Sequence, residues 1–531
     1  MRMPTLTKVF NGQSRFNSAM LSFILRRLFV SALLLLGASF IMYVLTAISG
    51  DPLEELRFSR DPNREQLIQN RSDQLNLGVP IPLRFFGWLG GAAQCLIPFA
   101  KSCDLGVNIF NQQVTELIPL ALQSTVQLIT GATVLAIVVG ITIGIVSALR
   151  YNTGFDYAVT FVIFLLFSMP AFWIAVLLKE FMAIGFNDFL ADPIVSPLTI
   201  LLIAVISGVI WQAMVAGPVK RRGIVFGVSG LATAAVLVYF TLTDWFRNPG
   251  LGPVMIAVSV VGIAVLITGL IAGFQDRRAM LTGLINAAIA VVAYFALQGV
   301  FDMSSWGTII ILGVAALGVG IVSGWLVGGD DRPVNMRMGS MVAILSAGLL
   351  LLDRFMQSWS AYTMDSAIRG RPIATIGSST PTLDGDIWII GIDTFTHFVL
   401  PTVSLTLISL AGYTRYVRSG MLDVLDQDYI RTARAKGLDE RTVIVRHAFR
   451  NALIPLSTLV AADIGAIIGG AIITEQVFAI SGMGQLFIRS LGNVDPNPVM
   501  AYFVVIAAVA LIANLVADLS YAALDPRVRT H

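Results

Sequence analysis

The sequence contains a series of apolar stretches that are long enough to cross a lipid bilayer as helices. A hydrocarbon core of about 30 Å requires about 20 apolar residues, because each helical residue adds about 1.5 Å. Twelve stretches have this length, and they are centred near residues 35, 134, 168, 207, 233, 263, 289, 316, 348, 405, 463 and 510. The pattern predicts an all-α polytopic membrane protein with about twelve transmembrane helices.

Basic residues are concentrated in every second connection between these stretches. They are Arg15, Arg26 and Arg27, then Arg150, then Lys220, Arg221 and Arg222, then Arg277 and Arg278, then Arg332 and Arg337, and finally Arg527 and Arg529. Because Lys and Arg are retained on the cytoplasmic side, both termini are predicted to be cytoplasmic. Arg369 and Arg371 are exceptions in a longer outside loop. A cleaved signal peptide is a poorer interpretation of the first stretch, since residues 28–48 are long for a signal core.

The composition agrees with a location in the cell membrane. Hydrophobic residues make up 56% of the chain and charged residues only 13%, unlike the balance of a soluble domain. We therefore expect a multi-pass protein whose surface contacts membrane lipid, and we do not expect nucleic acid as a partner.

The chain has two cysteines, Cys95 and Cys103, and both lie in the first predicted outside loop. An oxidising exterior would permit a disulfide between them, and two unpaired thiols are the alternative. The three histidines are scattered along the chain and have no cysteine or histidine at ligand spacing, so no metal site is predicted.

The sequence lacks the motifs of a self-sufficient ATPase or hydrolase. A phosphate-binding P-loop needs a Gly-Lys-Ser/Thr sequence at the start of a helix, and none of the five lysines follows a glycine. There is also no GxSxG or HExxH motif. We therefore expect no catalytic site in this chain.

One charged segment between two apolar stretches has the features of a docking element. It reads DYIRTARAKGLDERTVIVRHAFRNALIP and begins at Asp428. The small residues Ala433, Ala435 and Gly437 would allow close approach of another protein, while the interspersed arginines offer donors for its carboxylates. An ordinary basic cytoplasmic loop is the simpler interpretation.

The chain resembles the permease subunits of ATP-binding-cassette importers, in particular the first permease of the dipeptide, oligopeptide and nickel group. In the second half of the chain, the blocks that carry the resemblance are DYIRTARAKGL, RHAFRNALIP, GAIIGGAIITEQVF and SGMGQLF. In the first half they include ILRRLFV, NLGVPIPLRFF, ELIPLALQSTVQL and FSMPAFWIAVLL, and RPIATIGSSTPTLDGDIW and HFVLPTVSLTL follow after a gap. The resemblance covers residues 20–190 and 370–531.

This resemblance implies that the charged segment is a coupling helix, which docks on a cytoplasmic ATPase subunit. The residues that would form or flank the contact are Asp428, Tyr429, Arg431, Thr432, Ala433, Arg434, Ala435, Lys436, Gly437 and Leu438. The family motif begins with Glu-Ala-Ala, whereas this chain has Arg431-Thr432-Ala433, so any contact of that glutamate is not carried over.

The resemblance also implies the partners and the cargo. The chain would form half of a translocation path with a second related permease, two cytoplasmic ATP-binding subunits and an extracytoplasmic substrate-binding protein. Peptides are the expected cargo, with nickel or another solute as the alternative. The chain itself would bind no cofactor, because ATP and magnesium would be held by the ATPase subunits.

The apolar stretches between the two regions of resemblance form a predicted insertion. We divide the chain into residues 1–192 and 360–531, which form a six-span permease core, and residues 193–359, which form a six-span insertion. An even number of added spans leaves the orientation of the core spans unchanged. The inserted spans are rich in small residues that permit close helix packing.

Two further features of the predicted core bear on its function. Asp463 lies near the middle of an apolar stretch, where it could line the path or form a hydrogen bond between helices. The two glycines of SGMGQLF suit a tight turn buried by neighbouring protein.

Two other classes of function remain as alternatives. A secondary transporter also often has twelve spans, although such proteins commonly have two similar halves and polar residues at the midplane. A membrane scaffold that assembles partners without transport is the other alternative.

Overall fold

The computed structural model describes residues 32–95, 103–215, 217–452 and 471–524, together with residues 26, 29, 30 and 460. Within these ranges the regular structure is helical, apart from one isolated bridge between Val107 and Gln113. The chain forms two compact units, Met1–Val176 with Pro401–His531, and Leu177–Leu400. The predicted all-α polytopic fold is confirmed.

The first part of the chain contains helices on both sides of the loop between Cys95 and Cys103. They are α1 (Ala32–Ile48), α2 (Glu54–Arg57), α3 (Arg64–Gln74), α4 (Ile81–Gln94), α5 (Val114–Leu149), α6 (Gly154–Ser168) and α7 (Ala171–Leu178). A π-helical segment, Lys179–Ile184, continues α7 into α8 (Gly185–Ala191).

The described residues in the middle of the chain form eight α-helices. They are α9 (Pro197–Met214), α10 (Val219–Leu242), α11 (Gly252–Ile271), α12 (Arg277–Ala296), α13 (Gln298–Asp302), α14 (Trp306–Val327), α15 (Arg332–Gln357) and α16 (Trp359–Met364). A short 3-10 helix, Gly329–Asp331, precedes α15.

The last part of the chain contains the segments with the strongest sequence motifs. Its helices are α17 (Ile387–Leu425), α18 (Asp428–Ala435), α19 (Glu440–Thr442), α20 (Ala471–Phe478), α21 (Met483–Gly492) and α22 (Pro496–Leu524). A π-helical segment, Val443–Phe449, follows α19 directly.

The predicted count of twelve spans can be compared with the described helices. Eight of them are long and apolar enough to cross a membrane. The pair of α6 with Ala171–Ala191, bent by 104°, and the pair of α20 with α21, bent by 80°, raise the number to ten. Two shorter apolar helices, Ala32–Ile48 and Pro496–Ile512, coincide with the first and last predicted spans. The cytoplasmic location of the termini stays a prediction.

The domain boundaries proposed from the sequence stay a prediction as well. The helices of the predicted insertion, α9 to α15, all belong to the unit Leu177–Leu400. That unit also includes residues on both sides of the predicted insertion, up to Leu177 and Leu400.

Close packing of α14 on α15 depends on glycines spaced four residues apart. A Cβ atom added at Gly320 would lie 2.6 Å from the carbonyl oxygen of Gly339, and one added at Gly324 would lie 2.5 Å from that of Asn335. The two backbones therefore touch, as small residues allow in membrane helix pairs. This packing explains why glycine is required at Gly320 and Gly324.

Polar side chains lie inside the same group of helices. Asn286 of α12 donates its Nδ2 to Ser323 Oγ of α14 at 2.8 Å, and both side chains are buried. Asp353 of α15 is fully buried and accepts hydrogen bonds from Leu251 N at 2.6 Å and from Gln357 Nε2 at 2.6 Å. The predicted insertion therefore contains helices that are joined by specific interhelical contacts.

Replacing Gly320 by alanine is predicted to destabilise the bundle, because the added methyl group meets the α15 backbone. We expect the free energy of unfolding to decrease by about 1–3 kcal/mol, which is the usual cost of overpacking. The midpoint of thermal aggregation in detergent should decrease accordingly. Gly318→Ala is the matched control, since it lies on the same helix and its added Cβ has no heavy atom within 4 Å. Equal midpoints for the two variants would contradict the packing argument.

Candidate functional site

The charged segment predicted to dock on a partner forms helix α18 and a left-handed turn. The helix spans Asp428–Ala435, and Gly437 follows it with φ at +77°. The amide of Leu438 donates to the carbonyl oxygen of Ala433 at 3.4 Å, which closes the end of the helix. Glycine adopts this backbone conformation without steric cost, so Gly437 sets the direction in which the chain leaves the helix.

One side of α18 is packed against its own chain. Ile430 is fully buried and Ala433 is 7% exposed. Both belong to a hydrophobic cluster with Tyr413, Val417 and Met421 of α17. The same cluster includes Ala136 and Ala148 of α5 and Val443, Ala448 and Ala452 after α19. Ala433 therefore serves the packing of α18 on the membrane helices and offers little surface to another protein.

The opposite side of α18 carries the other residues of the predicted contact. Asp428, Tyr429, Arg431, Thr432, Arg434, Ala435, Lys436, Gly437 and Leu438 are all exposed. The structure thus brings these side chains together on one amphipathic helix and the turn behind it. A basic surface of this kind can donate hydrogen bonds to carboxylates of a partner.

Two polar contacts hold this exposed side in place. Arg434 Nη2 lies 2.8 Å from Glu440 Oε1, and this hydrogen bond raises the pKa of the Arg434 guanidinium above its usual value. Asn451 Nδ2 donates to the hydroxyl of Tyr429 at 2.9 Å. The segment after α18 therefore folds back beside it.

Helix α17, on which α18 packs, is in close contact with α5 through a pair of glycines. A Cβ atom added at Gly140 would lie 2.8 Å from Tyr413 Cβ, and one added at Gly144 would lie 2.8 Å from Val417 Cβ. This GxxxG spacing allows the two helices to approach closely. Because Tyr413 and Val417 also contact the cluster that holds Ile430, the seat of α18 is built by both helices.

The SGMGQLF motif forms the break between α20 and α21, where a buried glutamate caps α21. Glu475 Oε2 accepts from the amides of Gly484 at 2.7 Å and Gln485 at 3.1 Å, and Oε1 accepts from Thr125 Oγ1 at 2.6 Å. A Cβ atom at Gly482 would collide with the Glu475 carboxylate. The motif needs its glycines because the carboxylate occupies the space where side chains would be.

The turn after α21 is also attached to the first loop of the chain. Asp495 Oδ2 accepts from the amide of Ile109 at 2.8 Å, and Asn497 Nδ2 donates to the carbonyl oxygen of Val107 at 2.8 Å. Asp495 is 2% exposed, and this burial raises the pKa of its carboxyl from 3.8 to about 6.

Cys95 and Cys103 are joined by a disulfide with a Cα–Cα distance of 4.4 Å. Of the two bonding states considered for these cysteines, the structure contains the bridged one. Asp463, the proposed path or interhelix residue, lies outside the described residues.

Several residues that organise the site were not selected from the sequence. Ile430 has a detectable signal, since it lies three residues before Ala433 and thus on the same helix face. Glu475 stands in a quoted block, but its partner Thr125 is 350 residues away. Asp156 and Arg418 form an ion pair across 262 residues. A single sequence does not reveal contacts of such separation.

Comparison with known proteins finds a family model that matches the last part of the chain. Residues 368–530 match the family described as binding-protein-dependent transport system inner membrane component. This range includes α17 to α22 and therefore the whole of α18.

Individual relatives are permease proteins of peptide transport systems. The chain is 41% identical over 183 residues to the oligopeptide transport system permease protein OppB of Mycobacterium tuberculosis, which covers 34% of this chain and 54% of the relative. It is 46% identical over 136 residues to AppB of Bacillus subtilis, with 26% and 43% covered. It is 42% identical over 138 residues to the dipeptide permease protein DppB of Escherichia coli, with 26% and 41% covered.

These matches span about half the length of the relatives. Together with the membrane-length helices, they confirm the resemblance to dipeptide and oligopeptide permeases that the sequence blocks indicated. They also support the location of this chain as a multi-pass protein of the inner membrane.

Replacing Glu475 by glutamine is predicted to loosen the break between α20 and α21. The neutral amide oxygen is a weaker acceptor for the donors that contact the carboxylate, and the amide NH2 group faces donors instead of acceptors. We therefore expect the free energy of unfolding to decrease by about 1–3 kcal/mol. Hydrogen exchange of a peptide covering 480–492 should become faster. Glu116→Gln, an exposed glutamate of α5, is the control and should leave this exchange unchanged. Unchanged exchange in Glu475→Gln would contradict the capping role.

Asp495 is predicted to make the stability of the protein depend on pH. Since its pKa is about 6 in the folded protein and 3.8 as its ordinary value, the folded state binds the proton more tightly. The free energy of unfolding is therefore highest below pH 4 on this account and decreases by about 3 kcal/mol as the pH rises to about 6. The thermal midpoint of Asp495→Asn, compared with the parent chain between pH 4 and 7, should lack this decrease. A parallel pH dependence in both proteins would exclude Asp495 as its source.

Proposed function

We propose that the chain is a permease subunit of an ATP-driven importer and that it couples ATP hydrolysis on partner subunits to movement of cargo. The main support is the position of α18, which lies within the matched residues 368–530. Its exposed side carries the basic docking residues, and its buried side packs on α5 and α17. A helix with these two sides can bind a soluble subunit and transmit its movement.

The proposed complex contains partners that supply what this chain lacks. Two cytoplasmic ATP-binding subunits would hold ATP and magnesium, because the sequence has no P-loop lysine. A second related permease would complete the translocation path, and an extracytoplasmic binding protein would deliver the cargo. On this proposal the chain has no ATPase site and binds no cofactor of its own.

The proposed mechanism is alternating access driven through α18. Closure of the ATPase subunits on ATP would displace α18, and the packing of Ile430 would pass this displacement to α17 and α5. Densely packed interfaces respond as units because they are not continuously deformable. The core helices would then change between inward-open and outward-open arrangements.

The proposed orientation puts α18 and both termini in the cytoplasm. The basic connections support this orientation through the positive-inside rule. The disulfide between Cys95 and Cys103 agrees with it, because the loop that contains it would then face the oxidising exterior.

Peptides are the proposed cargo. The support is that the relatives are named oligopeptide and dipeptide transport system permease proteins. Nickel or another solute is the alternative cargo, and a transport assay must distinguish it from peptides.

The first test is purification of the tagged chain in mild detergent, followed by identification of the proteins that accompany it. We expect a second permease and two P-loop ATPases, with ATP hydrolysis by the purified complex. Recovery of the chain alone, stable and monodisperse, would overturn the proposal and favour a secondary transporter.

Replacing Gly437 by valine is predicted to detach or uncouple the ATPase subunits. A β-branched residue at φ of +77° is strained by about 1–3 kcal/mol, so the turn behind α18 should change direction. We expect the amount of co-purifying ATPase, or ATP-driven uptake, to fall about tenfold, equivalent to about 1.4 kcal/mol.

Gly370→Val is the matched control for this substitution. Gly370 has φ of +71°, and like Gly437 it has no heavy atom within 4 Å of an added Cβ. The control therefore imposes the same backbone strain away from α18. Unchanged uptake in Gly437→Val, or an equal loss in Gly370→Val, would count against docking at this turn.

A further inference from the structure

A bidentate ion pair joins the beginning of α6 to the part of α17 that leads to α18. Arg418 donates from Nε to Asp156 Oδ1 at 2.7 Å and from Nη2 to Asp156 Oδ2 at 2.9 Å. The two parallel hydrogen bonds fix the plane of the guanidinium against the carboxylate, a geometry that lysine does not provide. Arg418 precedes the first residue of α18, Asp428, by ten positions.

The carboxylate of Asp156 is held from three directions. Besides Arg418, Ser147 of α5 donates its Oγ to Oδ1 at 2.6 Å, and the amide of Asn152 donates to Oδ2 at 3.2 Å. The Asp156 side chain is only 3% exposed, and that of Arg418 is 25% exposed. Exposed ion pairs contribute little, whereas loss of one partner from a buried pair leaves an uncompensated charge.

The ion pair adds α6 to the group of helices on which α18 is seated. The hydrophobic cluster around Ile430 draws its buried residues from α5, α17, α18 and the segment 443–452. Arg418 is the neighbour of Val417, which belongs to this cluster and packs on Gly144. Through Asp156, the same part of α17 is tied to the first turn of α6.

From this continuity we infer that the Asp156–Arg418 ion pair is a positioning element that makes α6 follow α17 and α18 during transport. The inference rests on the proposed function, because it assumes that α18 receives the movement of the ATPase subunits. Helix α6 opens a bent pair that turns by 104° before Ala171–Ala191. The bidentate ion pair thus fixes the first turn of α6, which lies before this bend, against α17.

The experiment uses the full complex reconstituted in proteoliposomes. It measures ATP hydrolysis and the uptake of radiolabelled trialanine, and it reports their ratio together with the thermal midpoint of each purified complex. The variants are Asp156→Asn, Arg418→Gln, the double variant and Arg418→Lys.

Each single neutral variant is expected to lower both the thermal midpoint and the uptake per ATP hydrolysed, the latter about tenfold. The double variant has no unpaired buried charge, so its thermal midpoint should recover. Its uptake per ATP should stay low, because α6 is no longer tied to α17. Arg418→Lys, which keeps the charge and one hydrogen bond, should retain more uptake per ATP than Arg418→Gln.

The double variant separates a positioning role from a merely structural one. Recovery of uptake per ATP together with the thermal midpoint would overturn the inference, since stability alone would then explain the single variants. Uptake per ATP that is unchanged in both single variants would overturn it as well.

A second ion pair of the chain supplies the control. Arg354 Nη2 lies 2.6 Å from Asp302 Oδ1 in the unit Leu177–Leu400, and the double variant Asp302→Asn with Arg354→Gln should keep its uptake per ATP. An equal loss in this control would show that the ratio reports general damage, which contradicts the inference. A parent chain that purifies without ATPases would overturn the proposed function itself, whereas a complex that takes up no trialanine in response to ATP would overturn peptides as its cargo.

Discussion

The close approach of α5 and α17 is the contact on which the candidate site depends. Gly140 and Gly144 bring the two helices so near that an added methyl group would lie 2.8 Å from Tyr413 and Val417. That approach forms the apolar surface on which Ile430 packs. It also brings Ser147 of α5 and Arg418 of α17 to the carboxylate of Asp156. Without it, the buried side of α18 would lose the part of its packing surface that α5 supplies.

The sequence predicted the features that arise locally and missed those that arise from long-range contacts. The helical character of the segment at Asp428, its exposed basic side and the glycine turn of SGMGQLF all follow from residue types within a few positions. The burial of Ala433 could not be deduced from its small size, which suits contact with a partner as well as contact with α17. Only the neighbouring cluster decides between them.

The same distinction applies to the charged groups. A lone aspartate such as Asp156 at the start of an apolar stretch has an ordinary interpretation as a helix N-terminal residue, which is favourable in itself. Its partner Arg418 has an equally ordinary interpretation under the positive-inside rule. Both interpretations are consistent with the sequence. The contact between them is visible only when α5, α6 and α17 are packed together.

Two hydroxyl groups of α5 contact the buried carboxylates of Glu475 and Asp156, and the spacing of these contacts suits a protein that crosses a membrane. Thr125, in the first third of α5, donates to Glu475, and Ser147, close to the last residue of α5, donates to Asp156. These positions are separated by about 33 Å along the helix, close to the thickness of a hydrocarbon core of about 30 Å. Each carboxylate would therefore lie near an interface, where ionised groups cost less than at the bilayer centre. Each carboxylate also accepts hydrogen bonds at a break between two helices, Asp156 at the α5–α6 turn and Glu475 at the α20–α21 break, so α5 contributes a hydroxyl donor to both breaks.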